Sequence, residues 1–211
     1  MSKGRDADAP APDGLALVII DMISGWDFPD AEHLLPHAQR VAIEIAALAQ
    51  ACRDRGVPVI YANDNRGRWR SDFRSLVDAA LAQEGPGAEI TRLMRPHEHD
   101  YFVLKPKHSI FHGTPMPFLL QHLKVQRLVL AGVSSDQCVL MSVSDARMRE
   151  LDPIVPADCS ASQGEARHQV LLQQLRETWK VEAPDTWREI FQNVPPSPTR
   201  APPPRQEPSN D

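Results

Sequence analysis

Cysteine is scarce in this 211-residue chain: Cys52, Cys138 and Cys159 make an odd number, with no Cys-x-x-Cys pair. That argues against a disulfide framework and against a zinc knuckle, and it makes a reducing, cytoplasmic compartment the expected one. No apolar run approaches the roughly 20 residues that span a bilayer, and the opening stretch MSKGRDADAPAPDG lacks the apolar centre of a signal peptide. An excess of positive charge is missing too. The net charge is −5 and the pI is near 5.9, so neither nucleic acid nor membrane is an expected partner. The densest basic stretch, RGRWR at 66–70, is short and reads as a local loop. No G-x-G-x-x-G follows the first apolar run, which removes a dinucleotide-binding reading.

What remains has the composition of one globular domain, with 42% hydrophobic and 24% charged residues. Proline is abundant, but seven of the twenty fall between Pro195 and Asp211, a segment with no large apolar residue. Residues 195–211 are therefore expected to be a disordered tail and residues 1–13 a disordered arm, leaving a domain at 14–194. Inside it, apolar runs alternate with helical patterns. Strands are expected at 15–21, 57–62, 100–105, 127–132 and 152–158. Helices are expected near 36–55, 71–83, 115–123, 135–150 and 164–179. Val41, Ile45, Leu48 and Cys52 recur with helical spacing before Gly56, and Ser71 is the expected cap of the second helix. Such alternation predicts a three-layer α/β/α domain with a mostly parallel, Rossmann-like sheet.

Ligands of such sheets bind outside the carboxyl ends of the strands. The residues there include Asp21, Asn63–Asn65, Lys105, the segment Val133–Cys138 and Asp158. Cys138 sits where a strand passes into a helix, an address that lowers a thiol pKa and suits a nucleophile. Cys52, on an apolar helix face, reads as a core residue, and Cys159 fits either role. Asp21 ends an otherwise apolar strand, so it must be paired or have its pKa raised; it could serve as a base or simply cap the next turn. Lys105 closes its strand and could hold a thiolate and a carboxylate ionised, or point to solvent. Strand parity does not separate it from Lys107.

The blocks ALVIIDM, DYFVLKPKHSIFHGTPM and LVLAGVSSDQCVLMSVSDARMRELDPIVPADCSAS resemble, in order and spacing, the signatures of the isochorismatase-like (cysteine hydrolase) superfamily. The likeness runs over about residues 14–180. It implies a triad of Asp21, Lys105 and Cys138, selecting Lys105 because the family's lysine precedes an S-x-F-x-G-T element, here Ser109 to Thr114. It also implies a cis peptide at Val133–Ser134 and an oxyanion hole formed by the amides of Ser134 and Cys138. The implied chemistry is covalent: Asp21 takes the thiol proton, the thiolate attacks a carbonyl, and the same carboxylate serves the leaving amine and the incoming water.

Nicotinamidases of this group carry a metal on an Asp-x-His pattern after the second strand. Here Asp64 is followed by Asn65 and Arg66, and His97, His99, His108 and His112 lack the spacing. A metal-independent amidase with no cofactor is therefore expected, acting on a small amide or ureido compound, in a dimer or tetramer as relatives usually are. The usual glutamine two residues after the acid is Ile23, so the pocket floor differs from that of the characterised amidases. Trp26, Phe28, Asn65, Trp69, Phe73 and Phe111 are candidate pocket walls, and Arg66, Arg68 or Arg70 could bind a substrate carboxylate. A vinyl-ether hydrolase using Asp21 as acid and a non-catalytic binding member of the fold stay open as alternatives.

Overall fold

A computed structural model describes residues 10–65, 67, 69–70 and 72–192. At its centre lies β1 (Leu15–Ile20), all six residues of which are buried. β2 (Val59–Asp64) and β4 (Arg127–Val133) flank it, β3 (Tyr101–Lys105) lies outside β2, and β5 (Asp152–Ile154) outside β4. A two-residue strand, β6 (Ser160–Ala161), pairs with the far end of β4 at Gly132 and Val133. Every pairing is parallel. A strand covered on both faces has no solvent side, which is why β1 and β4 read as unbroken apolar runs.

Side chains alternate across the sheet, and two cores result. Leu15, Leu17 and Ile19 join one with α1 (Ala31–Asp54), α2 (Phe73–Leu81) and α3 (Pro86–Leu93). Ala16, Val18 and Ile20 join the other with α4 (Met116–His122), α5 (Leu140–Arg147) and α6 (Glu165–Gln173). This is the three-layer, mostly parallel architecture that the alternating pattern predicts, in one domain. Among the described residues, no helix is long and apolar enough to cross a membrane.

Several boundaries differ from expectation, each for a local reason. α1 starts at Ala31, and Pro36 lies inside it on the exposed side, where water can serve the carbonyl that loses its helical donor. Its end is as expected: Gly56 adopts φ 70° and the Val57 amide closes back on the Cys52 carbonyl at 2.9 Å. The cap of α2 is Asp72, whose carboxylate accepts from the Ser75 amide at 2.8 Å; Ser71 lies outside the described residues. α3 is unanticipated, because its first turn is Pro-Gly and flanking glycines mask its periodicity. The strand expected at 152–158 ends at Ile154, a 3-10 turn at Ala157–Cys159 follows, and β6 lies beyond the expected span, Pro156 having no amide to give a ladder. At the other end, Ala11 is buried and its amide donates to the Leu123 carbonyl at 2.8 Å. The packed chain thus takes in residues 11–13, which polarity alone assigns to the arm.

Candidate active site

The carboxyl ends of β1, β3 and β4 converge as parallel register requires. Asp21 leaves β1 with φ 54°, its amide donating to the Ala62 carbonyl at 2.9 Å. This turn brings its side chain across the end of β2, where the Asp64 amide donates to Oδ1 at 2.8 Å. Lys105 is the last residue of β3. Its fully buried side chain reaches past β2, with Nζ 2.7 Å from Asp21 Oδ2, 3.6 Å from Cys138 Sγ and 3.4 Å from the Lys107 carbonyl. Three donors and three partners leave the ammonium fully engaged. Burial disfavours that cation, but the Asp21 carboxylate, aided by Cys138 and Asp64, outweighs burial and holds the Lys105 pKa above its usual value. Lys107 is exposed. The structure therefore brings Lys105, not its neighbour, to Asp21 and Cys138.

On the β4 side, Gly132 has φ 114°, and a Cβ there would collide with the Ile20 carbonyl. Only glycine lets β4 pass this close to the end of β1. The Val133–Ser134 peptide that follows is cis. Next comes one wide π-helical turn, Ser135–Val139, which runs into α5. The amides of Gln137 and Val139 both donate to the Ser134 carbonyl at 3.2 Å. Cys138 lies between them. Ser142 ties the turn down, donating to the Cys138 carbonyl at 2.7 Å and accepting the Ile110 amide at 3.2 Å.

The electrostatics of Cys138 correct one expectation. Its strand-to-helix address predicts a lowered thiol pKa, yet the thiol is pushed up to about 12, first by burial and then by the Asp21 carboxylate, with Lys105 opposing. Desolvation and a neighbouring anion outweigh the amino end of a helix. The resting group is a neutral thiol that needs a base. Cys52 and Cys159 are fully buried; burial raises Cys52 to about 12 and Cys159 further still, which settles Cys159 as a core residue.

A cavity of about 450 Å³ opens over this edge, lined by Asp21, Val133, Ser134 and Cys138 together with Ile23 and Phe28. Its size suits a small molecule. Ile23, in place of the usual glutamine, is part of the wall, and Asn63 holds its carbonyl through Nδ2 at 2.7 Å. Of the candidate wall aromatics only Phe28 lines this cavity. Trp26 is 8% exposed and turned into the core against α3, where a Cβ on Gly87 would strike its ring. Phe111 is buried in the opposite core under Arg149, Phe73 is buried and stacks on Phe102, and Trp69 is 79% exposed. Asn65 is buried, its amide donating to the Lys105 carbonyl and its Oδ1 accepting from the Gly67 amide, so it secures the end of β2 beside β3. Arg70 is exposed and absent from the lining; Arg66 and Arg68 lie outside the described residues.

His108 reads in the sequence only as a poor metal ligand. It lines the cavity, and its Nδ1 lies 3.5 Å from Cys138 Sγ. Its signal was position: it sits between Lys105 and the Ser109 of the second block. Among the described residues the grouped ligand atoms belong to Asp30, Glu32 and His33, all exposed.

Residues 15–184 match the family model described as the isochorismatase domain. The chain is 32% identical over 157 residues to YaaI, an uncharacterised isochorismatase family protein of Bacillus subtilis, covering 74% of this chain and 86% of that one. It is 24% identical over 155 residues to the N-carbamoylsarcosine amidase of an Arthrobacter species, covering 68% of this chain but 58% of the amidase. Among solved structures, a cysteine hydrolase of Pseudomonas syringae pv. phaseolicola superposes with a TM-score of 0.66 at 24% identity, over 84% of this chain and 90% of that one.

Proposed function

Starting from the fact that the chain belongs to the isochorismatase family, we propose that it is a metal-independent cysteine hydrolase that cleaves a C–N bond of a small amide or ureido compound through a thioester on Cys138. The observation that carries this reading is the contact of the buried Lys105 Nζ with both Asp21 and Cys138, two residues that line the cavity.

Asp21 is the base for the thiol. Cys138 is protonated at rest, and the carboxylate that raises its pKa is the group placed to take the proton. As the sulfur attacks, Lys105 meets the negative charge that forms on it, in a site where water cannot screen the interaction. The amides of Ser134 and Cys138, at the turn between β4 and α5, are the donors for the carbonyl oxygen as it becomes an oxyanion. Collapse releases the amine and leaves the acyl group on sulfur, and water then frees the acid and restores the thiol.

The proposal is tested by Cys138→Ala against a panel of small amides and ureido compounds, with the wild-type protein quenched and weighed for an acyl adduct. Loss of turnover and an adduct mapped to Cys138 are expected. Retained turnover in the variant would refute the covalent route and favour acid catalysis by Asp21 on a vinyl ether.

A further inference from the structure

Both oxygens of Asp21 are already engaged. Oδ1 accepts the Asp64 amide at 2.8 Å and Oδ2 accepts from Lys105 Nζ at 2.7 Å. Lys105 is sealed beneath the site and forms no part of the cavity wall. Asp21 borders the cavity and keeps a lone pair on each oxygen, so it can receive the thiol proton beside it. A second group on the cavity side would relieve it of serving the leaving nitrogen and the water as well.

His108 is placed differently. It is exposed, it forms part of the wall, and its Nδ1 lies 3.5 Å from Cys138 Sγ. Its position is built by the chain on both sides of it. Lys107 offers its carbonyl to Lys105 Nζ. Ser109 donates to Asp145 of α5 at 2.5 Å and accepts the Phe111 amide at 3.2 Å. The Ile110 amide then donates to Ser142, whose hydroxyl holds the Cys138 carbonyl. The segment carrying the imidazole and the turn carrying the sulfur are therefore one hydrogen-bonded unit.

We propose, on the basis of the cysteine-hydrolase reading above, that His108 is a second acid–base catalyst, which handles the protons exchanged on the cavity side while Asp21 handles the proton of the thiol. In acylation the thiol proton passes to Asp21, the S–C bond forms, the C–N bond breaks, and the nitrogen leaves with a proton from His108. In deacylation the water oxygen bonds to the acyl carbon, its proton goes to His108, the C–S bond breaks, and the thiolate recovers its proton from Asp21. Each residue ends as it began. The cycle balances with His108 giving its proton as the imidazolium and taking the water's proton as the neutral ring, an exchange to which an imidazole is suited near neutral pH.

The halves separate with 4-nitrophenyl acetate, because nitrophenolate leaves without a proton. In His108→Gln the steady-state rate is expected to fall at least about thirtyfold, within the usual range for an acid–base catalyst, and the burst less than about threefold. Acetyl-enzyme on Cys138 then accumulates, as read by mass. In His108→Ala, added imidazole is expected to restore the steady state at least about tenfold above the rate of imidazole with Cys138→Ala, which a merely structural side chain would not allow. Equal loss of burst and steady state without imidazole rescue shows that His108 only supports the cysteine turn, and a retained steady state shows that Asp21 suffices; either overturns the proposal. An undiminished burst in Cys138→Ala, or a wild-type enzyme that takes up no acetyl group, sinks the cysteine reading itself.

Discussion

Replacing Asp21 by asparagine should make Cys138 react faster with an alkylating agent while abolishing hydrolysis. The substitution keeps the shape and the acceptor for the Asp64 amide and removes one negative charge. The two contacts to Lys105 Nζ, 2.7 and 3.6 Å, place carboxylate and sulfur within about 6 Å of each other. At that separation two unit charges repel by about 3 kcal/mol for an effective dielectric constant of about 20. Removing the repulsion raises the thiolate population at neutral pH about a hundredfold. A less basic thiolate is a weaker nucleophile, with a Brønsted slope of about 0.4–0.5, so the net gain in rate is about tenfold. The assay is iodoacetamide labelling near neutral pH with the modified site mapped by mass. Cys52 and Cys159, both fully buried, report any unfolding. Lys105→Met must act in the opposite sense, since Lys105 is the group that favours the thiolate. An unchanged or slower rate in Asp21→Asn would refute the reasoning, leaving burial alone to hold the thiol up.

Other perturbations reach different parts of the structure. Exhaustive chelation should leave turnover intact; a loss restored by zinc or iron would show that Asp64 finds ligands after all. Gly132→Ala should cost about 2–3 kcal/mol in denaturant unfolding, because its Cβ meets the backbone of β1 rather than a movable side chain; a loss below 1 kcal/mol on the same scale would mean that β1 and β4 part easily. His168 is buried, donating through Nε2 to the Ala157 carbonyl at 3.1 Å and accepting the Ser135 hydroxyl at Nδ1 at 3.0 Å. Burial lowers its pKa in the folded state, so its contribution is full above the unfolded value of about 6.5 and is lost as pH falls through the lower folded value. The acid-side fall in Tm over that window should therefore be shallower in His168→Gln than in wild type, and an equally steep fall would assign it to other groups.

The fold was legible wherever burial is two-sided. β1 throughout and β4 from Leu128 to Val133 are buried, so these runs read as strands covered on both faces, and their alternation with helices predicts parallel pairing but not their order in the sheet. Legibility failed where backbone chemistry overrides pattern. Pro36 suggests a helix start and is instead tolerated inside α1 because it faces solvent. The glycines around Pro86 conceal α3, yet Gly87 is there because Trp26 occupies the space where a Cβ would stand.

The site divides along the same line. Strands of a parallel sheet end together, which makes Asp21, Lys105 and Cys138 candidates with other readings open, and the family resemblance, not strand position, separates Lys105 from Lys107. What lies over them is built from connecting segments, whose paths the strand pattern does not determine. Trp26 and Phe28 are two residues apart in one loop, and one is core while the other lines the cavity. His108 shows the same limit from the other side. It follows Lys105 by three residues, beyond the strand, and the hydrogen bonds of Lys107, Ser109 and Ile110 bring it to the sulfur. A strand-end rule finds the groups fixed to the sheet. Those that meet substrate from above depend on how each loop is tied down, and that information is distributed over residues such as Ser109 and Ser142, which carry no chemistry of their own.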